Sequence, residues 1–258
     1  MSSLSVTVIR ADPAGNVTLL VSGPVPAEAR GSAAVALLAR CGGEQAGFFA
    51  EPRMGGVCRL EMMGGEFCGN ALRSAARAWT AAHPDALGRA LPYEISGCDR
   101  PLSVTADESG SVRASMPLPL SVERWNGLDT AVFPGIVHAL CVGREPDEDH
   151  ARKLTSALAA VWTAPAAGVM YLDREGRTMR PAVWVRDTDT LFFESSCASG
   201  SAAAAAILSR AQPDGESVWP LRQPGGVILA SARREDGRLT ELAISGPVGL
   251  EPPFAAEL

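Results

Sequence analysis

The chain has little of what metal, nucleic-acid and membrane sites are made from. It contains three histidines in 258 residues and no C-x-x-C pair, so the usual zinc-ligand spacing is absent. Basic residues do not outnumber acidic ones. The net charge of -6 leaves no electrostatic footprint for nucleic acid and no polybasic anchor for a membrane surface. No apolar run reaches the roughly 18 residues of a membrane span. Met1-Ser2-Ser3-Leu4-Ser5 lacks the positive charge of a secretory leader. Cys41, Cys58, Cys68, Cys98, Cys141 and Cys197 are scattered, and an even cysteine count implies a disulfide framework only in short secreted chains. The expectation is a cytoplasmic enzyme or binding protein with no metal, no nucleic-acid partner and no membrane partner.

What is present is an ordinary globular composition, 47% hydrophobic and 20% charged, long enough for one large domain or two halves. Leu4 to Ile9 and Val17 to Val21 read as strands around the turn Asp12-Pro13-Ala14-Gly15-Asn16. Pro26 to Cys41 has helical spacing and stops at Gly42-Gly43, with Glu44-Gln45 in the loop that follows. Val57 to Met63 alternates as a half-buried strand before Gly64-Gly65. In the helix that follows, Leu72, Ala75, Ala76 and Trp79 form the apolar stripe, with Arg73, Arg77 and Thr80 placed off it.

Short strands and turns follow to Met116, and Pro117-Leu118-Pro119-Leu120 reads as a boundary, giving halves 1–118 and 119–258. The second half repeats the grammar. Ile136 to Val142 is a strand, and Asp149 to Trp162 a helix with Leu154, Leu158 and Val161 on one face. A short strand and the turn Asp173-Arg174-Glu175-Gly176 come next, and a hairpin ends at Phe193.

Each half delivers a cysteine to the start of a helix. Glu66-Phe67-Cys68-Gly69-Asn70 enters one, and Glu194-Ser195-Ser196-Cys197-Ala198-Ser199-Gly200 enters an alanine-rich other. A helix start offers unsatisfied N–H groups and the positive end of a dipole, which lower a thiol pKa and cradle a carboxylate. Gly69 and Ala198 leave room for a ligand to approach the backbone. Two such thiols suit inversion at a carbon bearing hydrogen: one removes the proton from one face, the other delivers a proton to the opposite face. N–H donors stabilise the enolate-like charge between those events. The remaining four cysteines read as small buried apolar residues.

These two motifs resemble the diaminopimelate epimerase family of cofactor-independent amino-acid racemases. Ala14-Gly15-Asn16, Glu44-Gln45 and Gln223-Pro224-Gly225-Gly226 extend the resemblance over essentially the whole chain. It implies an α+β fold of two pseudo-symmetric halves, each a curved, mostly antiparallel sheet around a central helix. The site would lie in the cleft between them, and the last strand is able to cross back to the first half. It implies no cofactor, Cys68 and Cys197 as the acid–base pair, and substrate contacts from Asn16, Glu44, Gln45, Gly69, Asn70, Glu194, Ala198 and Ser199.

Departures narrow the substrate. Ser195 follows Glu194 where diaminopimelate epimerases carry arginine, and Ile136-Val137-His138 stands where they have asparagine-proline-histidine. Partners for a distal amino acid group are missing, and a site lacking them rejects that substrate. Pro13-Ala14-Gly15-Asn16, Glu44-Gln45-Ala46-Gly47-Phe48, Ser96-Gly97-Cys98 and the short Glu194–Cys197 run are instead similar to the histidine racemases of staphylopine-type metallophore pathways. That similarity implies histidine as the small-molecule substrate.

Glu44 is then either a solvated loop residue or the partner of an imidazole. Glu194 either orients the second helix start or binds the substrate ammonium, and His138 reads as a core histidine. A racemase of diaminopimelate or 2,4-diaminobutyrate, and a non-catalytic amino-acid-binding protein on the same fold, are the alternatives. Oligomeric state is open, a homodimer being one option.

Overall fold

A computed structural model describes residues 4–173 and 177–258. The turn expected from Asp173 falls, from Arg174 to Gly176, outside the described residues. The chain forms two compact units, Met1–Ala114 with Ser245–Leu258, and Ser115–Ile244.

The first unit is built on strands β1 (Ser5–Asp12), β2 (Thr18–Ser22), β3 (Gln45–Ala50), β4 (Cys58–Met62), β5 (Leu91–Ile95), β6 (Leu102–Ala106) and β7 (Ser111–Met116). They hydrogen-bond in sequence order, and the C-terminal strands Gly249–Leu250 and Phe254–Glu257 pair antiparallel with β1. Two neighbouring pairs are parallel, β2 with β3 and β4 with β5. Parallel neighbours need a crossover. Helices α1 (Arg30–Cys41) and α2 (Gly69–Ala82) supply them.

The expected hairpin of β1 and β2 forms around Ala14 and Gly15, both at positive φ. Strand β4 alternates as read, with Cys58, Leu60 and Met62 buried. Gln45, expected in a loop, is the first residue of β3. Helix α2 packs against β1, β2, β4, β5 and β6 and is buried on more than its apolar stripe. Arg73 is 0% exposed and Thr80 2%, although both lie off the apolar stripe. The Thr80 hydroxyl donates back to the Ala76 carbonyl, and Arg73 is satisfied by carbonyls from other segments.

The second unit holds a six-stranded sheet of β8 (Ser121–Trp125), β9 (Leu128–Phe133), β10 (Ile136–Val142), β11 (Ala166–Leu172), β12 (Met179–Val185) and β13 (Thr190–Phe193). Its order is β13-β12-β11-β10-β9-β8, antiparallel except where α3 (Glu148–Trp162) joins parallel β10 and β11. Val161, expected on the buried face of α3, is exposed, while Ala159 takes the buried position beside Leu158. Helix α4 (Ala198–Leu208) then leads to β14 (Gly215–Gln223), β15 (Gly226–Glu235) and β16 (Arg238–Pro247). It packs against β9, β10, β11, β14 and β15. Alanines 202–206 are at most 1% exposed, since only a methyl group fits where strands approach from several sides. No helix among the described residues is long and apolar enough to cross a membrane.

Candidate active site

In the first unit, β4 runs into the Gly64-Gly65 turn, and Cys68 becomes the N-cap of α2 with extended φ and ψ of -135° and 113°. Its sulfur accepts the Ala71 N–H at 3.5 Å, one of the donors a helix start leaves unpaired. The segment entering the cap is held from the side by Ser96, whose hydroxyl accepts the Met62 N–H at 2.8 Å and donates to the Glu66 carbonyl at 2.9 Å. Gly97 beside it sits at φ 73°, and a Cβ there would stand 2.4 Å from the Phe67 nitrogen. Only glycine fits both the dihedral and the gap.

Four of the expected contact residues converge next to this cap. The Asn16 side-chain oxygen accepts from Gln45 Nε2 at 2.8 Å and from Asn70 Nδ2 at 3.2 Å, and its amide donates to Glu44 Oε2 at 2.6 Å. Gln45 Nε2 also donates to Thr18 Oγ1 at 2.9 Å. The strained turn before Asn16 is fixed by the Asp12 carboxylate, which accepts the Gly15 N–H. Asn16 is 8% exposed and Asn70 1%, while Gln45 is half-buried and Glu44 exposed, so the network runs from the core to the surface. Glu44 itself is an exposed residue of the bend before β3, with its carboxylate accepting the Asn16 amide.

In the second unit the β12–β13 hairpin delivers Glu194, and Cys197 is the N-cap of α4 with φ and ψ of -122° and 112°. Its sulfur accepts the Gly200 N–H at 3.3 Å and lies 3.6 Å from Ser199 Oγ. The two cysteines therefore cap their helices in the same way. Gln223 fixes the second cap: its side-chain oxygen accepts the Cys197 N–H at 2.8 Å and its amide donates to Ser201 Oγ at 2.9 Å. Ser201 Oγ in turn donates to the Cys197 carbonyl at 2.6 Å, and the Gly225 N–H donates to the Ser195 carbonyl at 2.8 Å. A Cβ at Gly200 would stand 2.1 Å from the Met170 sulfur, so a side chain there requires Met170 to shift.

His138, read as a core histidine, is fully buried on β10, and its Nε2 lies 2.9 Å from Ser199 Oγ. Burial drives its pKa down to about 3, so the ring is neutral at pH 7.

One expectation fails here. A helix start was expected to lower both thiol pKa values, yet that of Cys197 is raised well above the ordinary thiol value. Burial is the largest cause, followed by the charge of Glu194 and by its acceptance of the thiol's hydrogen bond. Ser199 and the Gly200 N–H act in the opposite sense and are outweighed. Cys197 is 6% exposed. The starts of α2 and α4 are alike in cap geometry.

Gln223, Ser96 and Ser201 support the caps, yet sequence reading noted the first two only as parts of shared motifs and passed over Ser201. The available signal was a polar residue just before Pro-Gly-Gly, or inside Ser-Gly-Cys, in a segment otherwise made of strand.

The model of the histidine racemase CntK N-terminal domain matches residues 5–252. A histidine racemase of Fusobacterium nucleatum subsp. nucleatum is 28% identical over 260 residues, covering 93% of this chain and 92% of that protein. One of Staphylococcus aureus strain Mu50 is 25% identical over 242 residues, covering 86% and 87%. Among solved structures, a Bacillus anthracis phenazine biosynthesis protein of the PhzF family superposes with a TM-score of 0.71 at 13% identity, covering 99% of each chain. A probable proline racemase from Agrobacterium radiobacter K84 superposes with a TM-score of 0.68 at 12% identity, covering 96% and 92%. At such identities these neighbours establish the fold, a mixed α+β architecture shared with the PhzF and proline racemase proteins. With 5–252 matched by one family model, the chain belongs to the histidine racemase family.

Proposed function

We propose that this member of the histidine racemase family interconverts L- and D-histidine without a cofactor, using Cys68 on one face of the α carbon and Cys197 on the other. The observation that carries the reading is the pair of caps. Each thiol sits at the start of a buried helix with its sulfur drawn onto the N–H three residues ahead. The N–H groups of Gly69, Asn70, Ala198 and Ser199 are the proposed cradle for the substrate carboxylate, where they also stabilise charge that builds as the α proton leaves.

Proton inventory follows from the two thiols. A thiolate takes the α proton and becomes a thiol, while the opposite thiol gives its proton to the other face and becomes a thiolate. The products leave the pair in the reverse state, so the site runs in both directions. Glu194 serves Cys197 directly as the acceptor of its hydrogen bond. The carboxylate of Glu44, which accepts the Asn16 amide, is with Asn16 and Gln45 the proposed partner of the imidazole N–H. D-histidine formed this way would supply an opine-type metallophore pathway.

Incubating the protein with single L-amino acids in heavy water tests both substrate and chemistry. Deuterium should enter the α position of histidine fastest. Preferential labelling of diaminopimelate or 2,4-diaminobutyrate would move the substrate. No labelling of any amino acid by protein that binds one would make it a silent binder.

A further inference from the structure

Arg73 lies just over one helical turn beyond Cys68 on α2 and is 0% exposed. A guanidinium keeps its charge at neutral pH, and a buried charge is costly without compensation. Nε donates to the Val112 carbonyl at 3.2 Å, Nη2 to the carbonyls of Gly246 at 2.7 Å and Pro247 at 3.1 Å, and Nη1 to Asn70 Oδ1 at 3.4 Å. All four acceptors are neutral, and among the described residues no carboxylate pairs with Arg73.

Among the described residues, the elements chiefly packed on α2 offer no other anion to it. Strands β2 and β6 carry no ionisable side chain. Glu61 on β4 and Glu94 on β5 are both bound by Arg59. Burial pushes the pKa values of Cys58 and Tyr93 up, so both stay neutral. On β1, Arg10 pairs with Glu251 and Asp12 accepts the Gly15 N–H. Asp85, just beyond the helix, and Glu66, ahead of it, are exposed, and Glu44 is held by Asn16.

We propose that Arg73 is the fixed counter-charge of Cys68, a positioning residue that keeps this sulfur ionised in the free protein and poises Cys68 as the base and Cys197 as the acid. The inference rests on Cys68 being one of the two acid–base groups. Burial lowers the Arg73 pKa to about 10, and an ionised Cys68 acts against that fall. Such coupling is reciprocal: whatever the thiolate contributes to charging Arg73, the charged Arg73 contributes to ionising Cys68. Cys197 has the opposite setting, with the Glu194 anion and burial keeping its proton on. The bond from Arg73 to Asn70 also ties the counter-charge to the Asn16–Glu44–Gln45 network.

The test is the pH dependence of Cys68 alkylation by iodoacetamide, read on its own peptide by mass spectrometry in a Cys197→Ser background. With Arg73 intact, the inflection is expected well below the ordinary thiol value of about 8.5. In Arg73→Gln it should rise by at least about one unit, a roughly tenfold loss of thiolate at neutral pH, and Arg73→Lys should restore most of it. With Cys197 intact, kcat should fall with the thiolate fraction while KM stays nearly constant.

An inflection at or above the ordinary value with Arg73 intact overturns the proposal, and that measurement needs no variant at position 73 to fold. An unchanged inflection in folded Arg73→Gln overturns it as well. Alkylation does not depend on turnover. A failure of the racemase reading, seen as full activity in Cys68→Ser, is therefore distinguishable from a failure of this one.

Discussion

The side-chain oxygen of Gln223 accepts the backbone N–H of Cys197 at 2.8 Å, so a residue at the end of β14 sets the direction of the second cap. Its amide is used at the same time by Ser201, which returns a bond to the Cys197 carbonyl. Gln223→Ala leaves a buried N–H and a buried hydroxyl short of a partner. The expected cost is about 2 kcal/mol of stability, with a fall in kcat of roughly tenfold from misplacement of the sulfur. Denaturant melts and steady-state kinetics check both. Gln223→Glu should recover the acceptor but not the donor, and so recover only part of the loss.

Glu194 and Cys197 make a second prediction. The raised thiol pKa comes first from burial and then from the adjacent carboxylate. In a Cys68→Ser background, alkylation of Cys197 should be slow at pH 7 and rise only above the ordinary thiol range. Glu194→Gln removes the charge and should move the inflection down. The linked stability has a definite sign. A folded-state pKa above the unfolded value contributes stability that is present below the unfolded value and lost as pH rises past it. The fold should therefore weaken above about pH 8.5, and less so in Cys197→Ser.

Glu94 makes the opposite case. Burial alone would raise its pKa, but the N–H groups of Arg53, Gly56 and Met54 and the Arg59 guanidinium overcome this and hold it at about 2. A depressed carboxylate contributes stability present above its unfolded value, near 4.3, and lost as pH falls from there toward 2. Glu94→Gln should cost about 2 to 3 kcal/mol at pH 7. It should also show less further loss between pH 5 and pH 3 than the parent chain, measured by urea unfolding.

Local features explain what could be read from sequence. The alternation of Cys58, Leu60 and Met62, the turns at Pro13 and Gly42, and the small residues after each cysteine fix structure within a few positions, so β4, the first hairpin and both caps were legible. The convergence of Asn16, Glu44, Gln45 and Asn70 was reached through family resemblance, since residues so far apart in sequence share no pattern. Strand β14 was not read, because Pro220 interrupts it and its buried end is the polar Gln223. Strand β8 has no buried residue and carries no apolar alternation. The burial of Arg73 was not legible because its acceptors are backbone carbonyls of Val112, Gly246 and Pro247, which no side-chain pattern advertises. At Cys197 the helix-start rule was right about geometry and lost to burial on pKa.

The central claim is inversion by two thiols, and initial-rate conversion of L-histidine in heavy water tests it most directly. The expected result is D-histidine carrying deuterium at the α carbon while unreacted L-histidine still carries protium, with conversion abolished in both Cys68→Ser and Cys197→Ser. Protium retained in the D product, or substantial L-to-D conversion by both serine variants, would contradict it.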